Sequence, residues 1–301
     1  MLTGSVVWRW IAAVVCALAL GLAHWLHLDD RARLWFKQHT TPEAERAAYV
    51  WLPDYRAVIQ ALPIEGLEQD ETSGLTYNEQ TGTLFTVTGH TPQLVELSRQ
   101  GKVLRRIELK GFSDPEAVEV MAQGRMAIID ERKRRLVSFS LEPDQHVLDA
   151  AHYPSLDLGF EQAGNKGFEA LAWDARSQRL VLGKERSPMG IFAVTLDQQH
   201  LPSGAPTLLS HAHLGVRDIS SLSIDPRTGH ALLLSDESRL LLELNRAGEL
   251  VSFMSLGRGG AGLEQGIEQP EGIAVDEQGD IYIVAEPNLF YRFSKRGPEA
   301  E

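Results

Sequence analysis

One short segment recurs five times along the chain, and its spacing limits the possible fold more than any other feature. The copies begin at Ser73, Glu116, Glu169, Ser220 and Glu271, which places them 43, 53, 51 and 51 residues apart. Each copy starts with Glu or Ser, continues with a small and then an apolar residue, and is apolar again at its fifth position. A period of about 40 to 50 residues is typical of a repeat architecture.

Each copy is followed by polar turns and further apolar runs. In the fifth unit, the turn at residues 276–279 is followed by apolar runs at 281–284 and 289–293, and in the fourth unit residues 250–256 supply one more run. Short apolar runs separated by turn residues indicate four antiparallel strands per unit. No apolar period of 3.6 residues lies between them, as a parallel α/β fold would require. The sequence therefore predicts an all-β, five-bladed β-propeller with four-stranded blades over residues 53–297.

The closure of this propeller is also predicted. The fifth unit contains three apolar runs, whereas residues 55–62 form an additional run before the first unit. We expect residues 55–62 to supply the outer strand of the last blade. Such pairing would join the two ends of the domain in one sheet and remove an open sheet edge.

The N-terminal segment is strongly apolar. Residues 6–26 contain a single charge, Arg9, in 21 positions. Because a membrane-spanning helix needs about 20 apolar residues, we predict a transmembrane anchor at residues 1–28. A cleaved signal peptide is the alternative, and both interpretations send the rest of the chain across a membrane. Residues 29–52 are expected to form a spacer with a short helix that begins at Thr41-Pro42-Glu43.

The first residue of each repeat carries the clearest chemical signal. It belongs to the innermost strand of its blade, so we expect all five to face one mouth of the central channel. Close carboxylates repel one another and burial adds to the cost of ionisation, so such a ring needs protons or a bound cation. Calcium prefers oxygen ligands, whereas zinc and copper prefer His and Cys, which do not recur at this position. The residues at this position are Ser73, Glu116, Glu169, Ser220 and Glu271.

A second acidic set follows the second strand of the second to fifth units, at the end that returns to the same face. Its members are Glu131, Glu185, Asp236, Glu237 and Glu286. From the two sets, the candidate metal ligands are Glu116, Glu169, Glu271, Glu131, Glu185 and Glu286. The alternative is that these surface acids are solvated or paired with nearby basic residues such as Lys184 and Arg186.

Composition excludes several classes of function. The chain carries 41 acidic and 29 basic side chains, a net charge of −12, which disfavours binding to nucleic acid. Its one cysteine, Cys16, lies in the N-terminal segment, so the propeller has no disulfide and no thiolate zinc site. No nucleotide-binding or hydrolase motif is visible, and we assign no catalytic residue.

The repeat starts, the five units and the N-terminal apolar segment together resemble the SdiA-regulated (YjiK-like) family of bacterial envelope proteins, over about residues 50–296. The resemblance implies a five-bladed propeller distantly similar to NHL-repeat propellers, a transmembrane helix and a calcium site. In gluconolactonase-like propellers calcium is held at analogous positions, which points to Glu116, Glu169 and Glu271. Ser73 and Ser220 depart from the Asn and Asp ligands of those propellers, a difference that bears on lactonase chemistry more than on the metal.

These observations lead to three hypotheses. The first is a calcium-binding module, anchored in the bacterial inner membrane with its propeller on the periplasmic side, that recognises a small molecule, glycan or peptide at its mouth. The second is a calcium-dependent lactonase or ester hydrolase of the gluconolactonase-like type. The third is a structural propeller whose ring is neutralised by protons or local basic groups. The first is favoured because the sequence shows no convincing general base beyond the carboxylates themselves.

Overall fold

Five antiparallel sheets are arranged as the blades of a propeller in the computed structural model, which describes residues 4–25, 28–160, 167–186, 188–210 and 214–295. The innermost strands of successive blades contact one another around the axis, and the last contacts the first. The prediction of an all-β, five-bladed propeller is therefore confirmed.

The strands fall into blades as follows. The first strand, β1 (Tyr55–Pro63), precedes blade 1. Blade 1 contains β2 (Thr72–Asn78), β3 (Thr83–Thr88), β4 (Gln93–Leu97) and β5 (Val103–Lys110). Blade 2 contains β6 (Pro115–Val120), β7 (Arg125–Asp130), β8 (Arg135–Ser140) and, after β9 (Val147–Asp149), β10 (Ser155–Asp157). Blade 3 contains β11 (Phe168–Asp174), β12 (Arg179–Lys184), β13 (Gly190–Leu196) and β14 (Pro202–Ser210). Blade 4 contains β15 (Ser221–Ile224), β16 (Ala231–Ser235), β17 (Leu240–Leu244) and β18 (Leu250–Ser255). Blade 5 contains β19 (Pro270–Val275), β20 (Ile281–Ala285), β21 (Leu289–Lys295) and β1.

The closing strand lies where the sequence predicts it. β1 pairs antiparallel with β21, from Tyr55 opposite Lys295 to Pro63 opposite Leu289. The buried Tyr55 side chain strengthens this junction, because its hydroxyl donates to the Gly279 carbonyl at 2.8 Å. The first strand of the domain thus completes the last blade.

One strand departs from the expected pattern of four per blade. β9 leaves blade 2 and pairs in parallel with β5 at the outer edge of blade 1, with Glu108 opposite Val147 and Lys110 opposite Asp149. An outer strand with unpaired backbone groups invites edge-to-edge association, and β9 covers this one.

The core is divided among the spaces between blades. Five buried apolar clusters occur, one between each pair of neighbouring sheets. Between blades 5 and 1, for example, Tyr282 and Phe290 pack against Leu75 and Leu84. Apolar residues on both faces of each sheet thus explain the continuous apolar runs in the sequence.

Three helices precede the propeller: α1 (Gly4–Trp25), α2 (Leu28–Thr40) and α3 (Glu43–Arg46). No helix in the described part of the chain is both long and apolar enough to cross a membrane, so the predicted transmembrane helix is not supported. The spacer also differs from the prediction. It contains α2 as well as the short α3, and the Thr41 hydroxyl donates back to Lys37 O instead of capping α3.

α2 is packed against the propeller. Leu34 is 3% exposed and joins the apolar cluster between blades 3 and 4, and the Phe253 N–H donates to Gln38 Oε1 at 2.9 Å. Short 3-10 turns at Leu52–Asp54, Ala122–Gly124, Ala150–His152 and Gly260–Gly262 complete the described secondary structure.

Candidate functional site

Three glutamates at the first repeat position each lie on a β-bulge of an innermost strand. In blade 2, Pro115 pairs with Asp130 and Ala117 with Ile129, which leaves Glu116 without a partner. The same irregularity leaves Glu169 and Glu271 unpaired in blades 3 and 5. A bulge re-aims the side chain of its extra residue, and bulges are frequent beside functional sites. The shared backbone irregularity therefore gives these carboxylates equivalent positions at one mouth of the channel, which we call the acidic mouth.

The closest group of carboxylates at this mouth combines both predicted sets with one additional residue. Ligand atoms of Asp114, Glu116 and Glu131 all lie within 4.8 Å of one another. Glu116 comes from the innermost strand β6, Glu131 follows β7, and Asp114 precedes β6 in the connecting loop. Antiparallel pairing of β6 with β7 places these three positions at the same edge of the sheet.

Local hydrogen bonds hold the members of this group in place. Glu131 Oε1 accepts from the Gly167 N–H of the next blade at 2.6 Å. The Asp114 N–H donates to Asp130 Oδ1 at 3.2 Å, and the Asp114 carboxylate pairs with Arg132 at 3.0 Å. The group is therefore fixed by backbone contacts from two blades, while acceptor positions on its carboxylates remain for a ligand.

Burial and mutual repulsion both oppose ionisation at the acidic mouth. Burial, with smaller contributions from Asp114, Glu131 and Glu286, raises the pKa of Glu116 to about 8. Burial, followed by repulsion from Asp236, raises the pKa of Glu271 to about 9. Without a cation, both groups hold protons at neutral pH.

Glu169, in blade 3, experiences repulsion from several neighbouring carboxylates. Burial raises its pKa, and the charges of Glu185, Glu131, Glu116 and Glu271 raise it further. These shared effects place the candidate residues within electrostatic range of one another. Together they form one acidic site around the axis.

The remaining candidates, Glu185 and Glu286, lie at the ends of the second strands of blades 3 and 5. Glu185 forms an ion pair with Arg186 at 2.7 Å, and the same arginine reaches Glu237 at 2.7 Å. Burial raises the pKa of Glu286, and Gln269 Nε2 donates to its Oε2 at 2.8 Å. Glu185 is thus partly neutralised by a basic group, whereas Glu286 adds to the negative charge.

The two serines at the ring position, both expected to face the mouth, make different contacts. The Ser73 side chain hydrogen-bonds to Glu116 and favours its charged form. The Ser220 hydroxyl instead donates to the Pro270 carbonyl at 2.8 Å and joins blades 4 and 5. Ser220 lies directly before β15, whereas Glu116, Glu169 and Glu271 are the second residues of their strands.

Asp114 is absent from the ligand set that the sequence predicts, although it belongs to the closest carboxylate group. It lies two residues before Glu116, in a loop whose length varies between units. Asp218 lies at the same offset before Ser220, and this correspondence is the signal that could have identified the position.

Comparison with solved structures gives relatives at low sequence identity. A calcium-binding protein, regucalcin, from Agrobacterium tumefaciens shares 10% identity over 80% of this chain and 94% of its own, with a TM-score of 0.51. A catalytically inactive virginiamycin B lyase from Staphylococcus aureus, solved with quinupristin, shares 10% identity over 80% of this chain and 99% of its own, with a TM-score of 0.50. A protein of unknown function from Bacteroides thetaiotaomicron shares 11% identity over 80% of this chain and 76% of its own, also with a TM-score of 0.50. These similarities concern the fold alone.

A family model gives a more specific match. The model described as SdiA-regulated matches residues 47–294, which include every blade and the closing strand.

Proposed function

The chain belongs to the SdiA-regulated family, and on that premise we propose that its propeller binds calcium at the acidic mouth and acts there as a binding module for a ligand or partner. The observation that carries the proposal is the group of three carboxylates whose ligand atoms lie within 4.8 Å of one another. Two oxygens bound to one calcium ion lie at most about 5 Å apart, since each is about 2.4 Å from the ion.

The electrostatics of the mouth support a cation. Folding brings Glu116, Glu169 and Glu271 into a partly buried site where repulsion and desolvation raise their pKa values. A divalent cation would remove both penalties by stabilising the ionised carboxylates. Calcium fits better than magnesium, because it accepts six to eight oxygens in flexible geometry. Ring carboxylates and water would complete the shell that Asp114, Glu116 and Glu131 begin.

The regucalcin similarity adds support of a limited kind. That protein is described as calcium-binding and has the same fold at 10% identity. The fold therefore accommodates calcium in at least one relative, and in this chain the carboxylates of the acidic mouth would supply the ligands.

Isothermal titration of the full chain with calcium, and separately with magnesium, tests the proposal. We expect one calcium site, weakened at least about tenfold by Glu116→Gln, because the substitution removes a charged ligand. Glutamine resembles the protonated Glu116 that the free protein holds, so the fold should persist. Glu249→Gln, at an exposed position in blade 4, is the matched control and should bind calcium like the parent.

Three results would contradict the proposal. The absence of calcium binding by the parent would favour the structural alternative, in which protons neutralise the mouth. Equal calcium binding by the parent and Glu116→Gln would place the ion elsewhere. Calcium-dependent turnover of a lactone or ester panel by the parent, lost in Glu116→Gln, would show that the protein is a hydrolase and not a binding module.

The location of the propeller on the periplasmic side of the bacterial inner membrane stays a prediction. A reporter fused after Glu301 that is active only outside the cytoplasm would support it, and activity confined to the cytoplasm would contradict it.

A further inference from the structure

The channel has a second mouth, at the opposite ends of the innermost strands, and a cavity of about 200 Å³ opens there. We call it the opposite mouth. Its wall includes the fifth residue of every repeat, and all of these are apolar or aromatic. They are Tyr77, Val120, Trp173, Ile224 and Val275. Four of the five are only partly buried, which leaves an apolar wall in contact with solvent.

Two buried carboxylates lie in this wall: Asp225, which is paired with the Arg227 guanidinium, and Glu119. Glu119 occupies the fourth repeat position, where the other units carry the small residues Thr76, Ala172, Ser223 and Ala274. Its Oε1 accepts from Thr76 Oγ1 of the neighbouring blade at 2.9 Å and from the Val120 N–H at 3.0 Å. Strand geometry places Glu119 roughly 10 Å along β6 from Glu116, so the two carboxylates serve different mouths.

Glu277 is another carboxylate of the wall, and one of its two oxygens makes no hydrogen bond of ordinary geometry. Glu277 Oε1 accepts from Arg99 at 2.8 Å and from Gln278 Nε2 at 2.6 Å. Its Oε2 atom is buried and makes no hydrogen bond of ordinary geometry among the described residues, and the neighbouring Tyr77 hydroxyl interacts with the carboxylate as a whole. Buried acceptors are usually satisfied, so a donor from a bound molecule is the natural partner for this atom.

The basic side chains in and beside the wall, Arg176 and Arg99, are engaged by other protein groups. Arg176 is the one basic residue among the described lining residues, and its guanidinium donates to the Arg227 carbonyl at 3.0 Å. Arg99 stacks over the Tyr77 ring with its guanidinium carbon 5.0 Å from the ring centroid, which leaves the Trp173 indole as the aromatic surface for a ligand. Carboxylates and an indole together suit an organic cation.

We propose that the opposite mouth binds a small organic cation, a protonated amine attached to one aromatic or aliphatic ring. The ring would contact Trp173 and Val120, while the amine would donate to Glu277 and Glu119. A cavity of about 150 Å³ in a protein core accommodates benzene, so about 200 Å³ suits a ligand of this size. This site is independent of the calcium proposal, because none of its wall residues belongs to the acidic mouth.

Isothermal titration of the full chain with 2-phenylethylamine tests the proposal, and 2-phenylethanol serves as the neutral probe of the same shape. We expect a Kd for the amine below about 1 mM and at least about tenfold weaker binding of the alcohol. Trp173→Leu should weaken amine binding about fivefold or more, whereas Trp173→Phe should retain most of it. Glu277→Gln, in the turn after β19, provides a second variant that should weaken binding even if Trp173→Leu fails to fold.

Three outcomes would overturn the proposal: no saturable amine binding below about 10 mM, equal affinity for amine and alcohol, or amine binding unchanged in both Glu277→Gln and folded Trp173→Leu. Glu271→Gln at the acidic mouth provides the control that separates the two sites. It should leave amine binding unchanged, and loss of amine binding in this variant would contradict the assignment to the opposite mouth.

Discussion

Glu243 fastens the segment before the propeller to blade 4, and its replacement should destabilise the whole domain. Its side chain is fully buried in β17. The Val50 N–H donates to Oε1 at 2.8 Å and the Trp51 N–H to Oε2 at 2.9 Å. The Ser252 hydroxyl donates to Oε2 at 2.6 Å, and His230 Nδ1 lies 2.7 Å from Oε1.

The structure sets the magnitude expected for Glu243→Gln. Glutamine keeps one acceptor oxygen but turns an amide NH₂ group toward groups that are themselves donors. Hydrogen bonds to a charged acceptor contribute about 1.5–3 kcal/mol each, and breaking a buried charged network costs about 3–5 kcal/mol. We expect a loss of about 3–5 kcal/mol in the free energy of unfolding. Because β1 begins only four residues after Trp51, release of this segment should also weaken the closing blade.

Urea unfolding of the full chain, followed by tryptophan fluorescence and far-UV circular dichroism, measures this loss. Trp51 is one of six tryptophans and is buried under the Arg46 guanidinium, so release of the segment contributes to the fluorescence change, while circular dichroism follows the blades. Glu249→Gln makes the same chemical change at an exposed site and should alter stability by less than about 0.5 kcal/mol. A loss below about 1 kcal/mol in Glu243→Gln would refute the view that this carboxylate holds the segment in place.

Three further predictions concern the mouth, the axis and the closing strand. Burial raises the pKa of the Glu116 carboxyl to about 8. The stability that this carboxyl contributes to the calcium-free domain is therefore fully present at a pH below its usual pKa of 4.5, and it is lost as the pH rises through about 8. The rise in Tm on adding calcium should therefore be larger near pH 8.5 than near pH 6 in differential scanning fluorimetry, and equal rises would contradict this. Gly272→Ala should lower the free energy of unfolding in urea by about 1–3 kcal/mol, because a Cβ there would lie 2.7 Å from the Gly74 carbonyl carbon. The control Gly89→Ala has open space around it and should cost little, and similar losses in the two variants would argue against tight contact between blades 5 and 1. Tyr55→Phe should cost about 1–2 kcal/mol by leaving the Gly279 carbonyl without its donor, and an unchanged urea midpoint would show that the hydroxyl contributes nothing to closure.

The blades and their closure follow from the sequence because the signals are local and repeated. Each unit carries its own strands and turns within about 50 residues, and the unpaired run at residues 55–62 has only one open edge to join. The parallel strand β9 was not predicted, because three residues at the edge of another blade have no sequence signal of their own.

The candidate site was only partly predictable, for a different reason. The repeat register identifies Glu116, Glu169 and Glu271 as equivalent positions, and the structure places them at one mouth. Asp114 joins Glu116 and Glu131 from the loop before β6, and its only sequence signal is that Asp218 lies at the same offset before Ser220. The opposite mouth has no comparable repeat signal, because Glu119 departs from the repeat pattern instead of following it.

The pairing of β1 with β21 also determines how the domain would respond to mechanical load. Tyr55, where the propeller begins, lies opposite Lys295, near its end. A force applied between these two points would open the pair one hydrogen bond at a time, from one end to the other, instead of shearing all of them together. Tension applied at Tyr55 and Lys295 would therefore open blade 5 first, while the four other blades keep their own hydrogen bonds.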